Sequence, residues 1–207
     1  MRWLLALIVT ATLAQAEGEP AGEFDYYVLA LSWSPTYCAL DGDARDHPQC
    51  DRSLGWVLHG LWPQYETGWP SFCPTGARNP SRAETAAMAD IMGSGGSAWH
   101  QWKKHGRCSG LEPEDYFALA RLAFDRVTRP EVLRKLDEPV RLPAGVIEEA
   151  FLRANPDWTA DMLTVTCKER RIQEARLCLS RNLLPRRCGE DVSRDCSLAD
   201  ALLDPIR

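Results

Sequence analysis

Three of the four histidines fall in two short segments, Trp56-Val57-Leu58-His59-Gly60-Leu61-Trp62-Pro63 and Trp99-His100-Gln101-Trp102-Lys103-Lys104-His105-Gly106-Arg107-Cys108. Imidazole takes up and gives back a proton near neutral pH, so two facing one ligand can serve as base and acid in a single reaction. A third imidazole and an ammonium beside them could hold an anion. Such a set suits cleavage of an RNA phosphodiester. The formal net charge of −5 argues against a protein that coats polyanions over its whole surface, yet Lys103, Lys104, His105 and Arg107 make a local cationic run within that acidic chain.

Two elements must present these groups. If 98–105 is helical, with Ser97 as N-cap and Gly106 ending it, His100 at zero puts Lys104 near ~40°, Gln101 near ~100° and His105 near ~140°. All four then share one broad face. Trp102, at ~200°, turns toward the core, and Lys103, at ~300°, toward water. In the first segment, period-two alternation predicts Val57, His59 and Leu61 on one face and Trp56, Leu58 and Gly60 on the other. Gly60 and Gly106 each follow a candidate catalytic histidine, where a missing side chain lets a substrate or another backbone approach. Trp62 reads equally as a stacking surface for a base or as core packing. Tyr65 and Trp69 are weaker candidates for stacking, and Gln64 could hydrogen-bond a base edge.

The surrounding pattern supplies a scaffold. Runs rich in aliphatic and aromatic residues predict strands at 26–33, 55–61, 162–167 and 172–179, the last two flanking a charged turn as in an antiparallel pair. Helices are expected at 82–92, ended by Gly93-Ser94-Gly95-Gly96, at 114–127, opened by Pro113, and at 144–153. This is an α+β domain, a mainly antiparallel sheet with helices packed around it. No internal repeat is visible.

At the N-terminus, Arg2 precedes an apolar run that closes on Ala14-Gln15-Ala16, the form of a secretory signal peptide at 1–16, leaving a single domain at 17–207. The apolar run is shorter than the ~20 residues that span a bilayer. The mature chain is therefore expected to be secreted or periplasmic, free of the membrane and monomeric. Export fits eight cysteines, Cys38, Cys50, Cys73, Cys108, Cys167, Cys178, Cys188 and Cys196, and predicts four disulfides. A zinc reading would want Cys-x-x-Cys or His-x-x-x-His spacing, and neither occurs. No metal or other cofactor is expected.

His59-Gly60-Leu61-Trp62-Pro63 together with His100-Gln101-Trp102-Lys103-Lys104-His105-Gly106-Arg107-Cys108 closely resembles the two active-site segments of the ribonuclease T2 family, secreted endoribonucleases of α+β fold. The likeness runs from Tyr26 to the segment Arg176-Leu177-Cys178-Leu179. It implies that His105 removes the 2′-hydroxyl proton, His59 protonates the departing 5′-oxygen, Lys104 stabilises the transition state, His100 holds the phosphate and Trp62 lines the base pocket. It further implies single-stranded RNA as substrate with low base specificity, a 2′,3′-cyclic phosphate product that is then hydrolysed, and no action on DNA. One departure is Gln101, where the family has glutamate. An amide takes no proton but can still donate a hydrogen bond to a phosphoryl oxygen, so a changed rate or pH dependence is expected. An RNA- or ligand-binding protein on the same scaffold is the alternative that Gln101 leaves open. The resemblance also implies the pairings Cys38 with Cys50, Cys73 with Cys108, Cys167 with Cys196, and Cys178 with Cys188.

Overall fold

A computed structural model describes residues 19–207, so the signal peptide expected at 1–16 lies outside the described residues. Six strands, β1 (Tyr26–Trp33), β2 (Trp56–Gln64), β3 (Val140–Leu142), β4 (Leu163–Lys168), β5 (Arg171–Leu179) and β6 (Ala201–Leu203), form one sheet. Its order is β2-β1-β5-β6-β3, with β4 also paired to β5, and only the β5–β6 contact is parallel. The expected mainly antiparallel α+β architecture is what forms. Among the described residues no helix is long and apolar enough to cross a membrane.

Alternation along β1 decides the two faces. Tyr27, Leu29, Leu31 and Trp33 enter the main core, where they meet Trp102, Tyr116, Phe117 and Phe151 from the helices. Tyr26 and Val28 point the other way and join Cys178, Cys188 and Val192 in a smaller cluster with Trp62 against it. At roughly 25 cal/mol per Å² of apolar surface, the fully buried Trp33, Trp102 and Tyr116 each contribute on the order of several kcal/mol to this packing.

The helices are α1 (Ser34–Tyr37), α2 (Arg82–Ala86), α3 (Ala89–Met92), α4 (Gly95–Lys104), α5 (Pro113–Arg126) and α6 (Gly145–Ala154). Two differ from expectation. The helix expected at 82–92 divides into α2 and α3, because the chain tightens between them, with Met88 N–H donating to Thr85 C=O three residues back. A capping box between Ser81 and Glu84 starts α2. The helix expected to begin after Ser97 begins three residues earlier, since the Ser94 hydroxyl accepts from Ser97 N–H and makes Ser94 the cap. Gly95, read from sequence as a terminator, instead lies in the first turn of α4. There a Cβ would come 3.3 Å from the backbone of Thr85 and Ala86, so its absence lets α4 press against α2.

β2 runs to Gln64 rather than stopping at Leu61. Pro63 is tolerated because β2 lies at the end of the sheet and needs neighbours on one side only. The register against β1 slips once: Ala30 pairs with Gly60 and Leu31 with Leu58, leaving His59 as an extra residue. The bulge overturns the simple alternation. Leu58 and Leu61 both enter the core, while Val57, against expectation, lies on the face opposite Leu61.

All four disulfides form with the implied partners. Cys73–Cys108 ties the loop after β2 to the turn following α4, beside a hydrogen bond from Phe72 N–H to Lys104 C=O. Chain-entropy reasoning ranks the crosslinks by the loop they close, 35 residues for this pair and 10 for Cys178–Cys188. Replacing both members by serine should therefore cost about 4 kcal/mol for the first pair and about 3 for the second. Denaturant unfolding of the two double variants checks that order.

Candidate active site

His59 emerges from the bulge of β2 with its side chain 42% exposed, although residues on both sides of it are buried. It opens onto a cavity of ≈ 320 Å³ that is also lined by His100, Gln101, Lys104 and His105. The helical arc expected from sequence therefore meets the strand histidine. Trp102 is buried in the core and Lys103 lies in solvent, as the angles required. His105 sits one residue past the last helical position, its N–H still donating to Gln101 C=O.

Trp62 stands between the two imidazoles. Its indole stacks on His105 at 5.1 Å and 26°, and meets the His59 ring edge-on at 5.1 Å and 79°. The indole N–H donates to Gln101 Oε1 at 2.8 Å. Gln101 is 3% exposed, so its first partner is this indole and its oxygen fills the acceptor role that either an amide or a carboxylate can play. The need for Gly60 follows. A Cβ there would lie 2.4 Å from both Gln101 Oε1 and Trp62 Nε1, so the missing side chain makes room for this bond rather than for a ligand. At Gly106 the close neighbours are Tyr116 and Trp102, again protein rather than substrate.

The flank of the cavity beyond Trp62 holds Gln64 and Trp69. Gln64 is buried and its amide donates to Pro63 C=O, while Trp69 is 54% exposed and free to cover a planar ligand. Tyr65 packs against the main core and does not line the cavity. The imidazoles of His59, His100 and His105 do not meet as a ligand set. Among the described residues the one group with three donor atoms within 4.8 Å is Cys38, Asp43 and Cys50, whose two sulfurs are bonded to each other.

Two residues that sequence reasoning missed complete the cluster. Glu174 of β5, 2% exposed, places Oε1 at 2.5 Å from His59 Nδ1, and its Oε2 accepts from Arg176 Nε and Nη2 at 2.9 and 2.8 Å. Burial alone would raise the Glu174 carboxyl, but the hydrogen bond and charge of His59, with Arg176 behind them, outweigh it and hold the group at about 2. A signal was present in the sequence. In β5 the core takes Ala175, Leu177 and Leu179, so a carboxylate and a guanidinium two residues apart occupy the opposite face of a central strand, where charge needs a reason.

The two imidazoles differ sharply in surroundings. His105 is 5% exposed, and burial first, then the charges of Lys104, His59 and His100, push it from 6.5 down to about 3. His100 is lowered as well, by burial and then by Lys104. His105 thus remains neutral and able to accept a proton over most of the pH scale, beside cations that favour an anionic ligand.

Burial of a neutral histidine links stability to pH. The unfolded chain takes up this proton near 6.5 and the folded protein only near 3, so stability is full above 6.5 and falls as pH drops toward 3. Glu174 adds a loss of the same sign at lower pH, between 4.5 and about 2. Melting temperature should decline from pH 6.5 to 4.5, and His105→Gln should flatten that part of the curve. A variant with the wild-type slope would remove His105 as its source.

Residues 24–188 match the family model described as "Ribonuclease T2 family". Over 132 residues the chain is 44% identical to a ribonuclease of Aeromonas hydrophila, covering 64% of this chain and 55% of that protein. The chain spans roughly half the length of the curated relatives it matches. Among solved structures, an RNase-related protein from Calystegia sepium aligns with a TM-score of 0.66 at 22% identity, over 88% of this chain and 97% of that one. RNase NT in complex with 5′-AMP aligns with a TM-score of 0.64 at 20% identity, over 88% and 98%. These two likenesses establish the fold.

Proposed function

The chain belongs to the ribonuclease T2 family, and from that premise we propose that it is an endoribonuclease that cleaves single-stranded RNA through a 2′,3′-cyclic phosphate, with low base specificity and without a metal. One observation carries the reading: two imidazoles line one cavity in opposite settings, His105 buried and held neutral, His59 exposed and bonded to an ionised carboxylate. The first setting suits a base and the second an acid.

In the first step His105 accepts the 2′-hydroxyl proton as the 2′-oxygen attacks phosphorus. The bond from phosphorus to the 5′-oxygen breaks, and His59 delivers a proton to that oxygen. Lys104 stabilises the charge gathering on the phosphoryl oxygens, and His100 holds the phosphate. In the second step the imidazoles exchange roles: His59 takes a proton from water as its oxygen attacks phosphorus, the bond from phosphorus to the 2′-oxygen breaks, and His105 returns its proton to that oxygen. Trp62 and Gln64 border the base, and Gln101 supports the site by holding the indole. Because the 2′-hydroxyl is the nucleophile, DNA is not a substrate.

The four crosslinks favour an oxidising compartment, so the protein is secreted or periplasmic in this reading. All the groups invoked come from one chain, and a monomer suffices.

Incubating the protein with RNA homopolymers and with DNA in excess chelator tests the proposal. Cleavage of RNA alone, leaving cyclic phosphate ends, is the expected result. Intact RNA in every buffer, or cutting abolished by chelator, would overturn it. His59→Ala and His105→Ala should each lower kcat by about 10²- to 10⁴-fold. The pH profile of kcat/KM should be bell-shaped, with its acid limb well below pH 6 because His105 is depressed. Gln101→Glu retains an oxygen for Trp62 and adds an ionisable group near His105. The profile should move while the product stays the same; coincident profiles would mean that this position acts only through the indole.

A further inference from the structure

We propose that Glu174 and Arg176 form a positioning pair for His59, the carboxylate fixing the orientation and Nδ1–H tautomer of the imidazole and the guanidinium limiting the pull of that carboxylate on the ring. The inference rests on the ribonuclease reading for the effect on rate, while the effect on His59 itself does not depend on it.

Geometry divides the carboxylate between two tasks. Oε1 faces His59 Nδ1 at 2.5 Å and accepts from Ser32 Oγ at 3.3 Å, while Oε2 takes the Arg176 fork at 2.9 and 2.8 Å. With Nδ1 engaged in this way, Nε2 is the ring nitrogen left for a ligand in the cavity. A carboxylate buried to 2% exposure is costly to keep ionised, and an apolar residue would pack a strand face at lower cost. Its presence here needs a second role. Acting alone against the ring, it would make an imidazolium that gives up its proton reluctantly; drawn also toward Arg176, it binds that proton less tightly. Arg176 keeps about a third of its side chain exposed and stands 5.5 Å over the Trp62 ring, so it borders the same cavity.

The charged groups around His59 come from every side. Besides Glu174 and Arg176 of β5, they are His100 and Lys104 of α4, His105 at its end, and Asp191 of the segment after β5. Across a second recess that shares His59 stand Arg45 and His47, and Asp41 and Lys168, the last two bonded to each other at 3.0 Å. Only Glu174 bonds the ring directly.

Two single variants of the full chain, Glu174→Gln and Arg176→Gln, should act in opposite directions, which a merely structural role would not produce. Ring NMR titration of His59, and pH profiles of kcat and KM on one dinucleotide, supply independent readouts. With Glu174→Gln the His59 midpoint and the alkaline limb should fall by about one unit or more. At the same time kcat should drop ~10-fold or more with KM nearly unchanged, the signature of a group acting in the transition state. With Arg176→Gln the midpoint and limb should rise. Glu174→Asp, which keeps the charge on a shorter arm, should restore most of the midpoint and only part of kcat.

Shifts of the same sign in both glutamine variants, or none, would overturn the pair. If Glu174→Gln does not fold, Arg176→Gln decides the matter by its direction alone. A wild-type protein that leaves RNA intact while His59 still responds in opposite senses would sink the ribonuclease reading and keep the pair. Active enzyme with an unmoved His59 would do the reverse.

Discussion

The slip in register between β1 and β2 is the constraint on which the cleft depends. One residue more on β2 than on β1 turns His59 away from the row of apolar neighbours and sets Gly60 and Trp62 on the same side of the sheet. Side chains alternate with period two, so a strand without the extra residue would put either Leu58 or Leu61 on the wrong face. In this structure Leu61 enters the core and Trp62 reaches Gln101. The bulge resolves a conflict between core packing and chemistry within nine residues.

From that point the cluster is organised by unequal burial. His105 lies under Trp62 and close to cations, which strips its ring of a proton, whereas His59 faces the opening and leans on a buried acid. Identical side chains thereby acquire distinct chemistry from position alone. The indole serves as a partition, fixed by one hydrogen bond to a helix and by ring contacts to both imidazoles.

Much of this was legible in the residues, and what was not had long-range causes. The β1 and β5 runs announce themselves by composition, and the face shared by His100, Gln101, Lys104 and His105 follows from helical geometry alone. The cysteine pairing came from family resemblance rather than from spacing. The start of α4 was misplaced because glycines read as breakers, and only the contact with α2 shows why Gly95 belongs inside the first turn. The bulge could not be read, since a one-residue slip is a relation between two strands. Glu174 and Arg176 stood out locally as charges on a central strand, but their link to His59 was hidden for the same reason, since that partner is 115 residues from Glu174.

The place of β2 in the sheet carries a further consequence. An end strand offers unpaired backbone groups on which another chain could add itself, and long regular edges of this kind seed association. Here Pro63 has no N–H to offer, and the surplus residue at His59 breaks the spacing that an incoming strand would need. The irregularities that shape the cleft also deny neighbouring molecules a template, so a smoother β2 would sacrifice solubility along with its histidine.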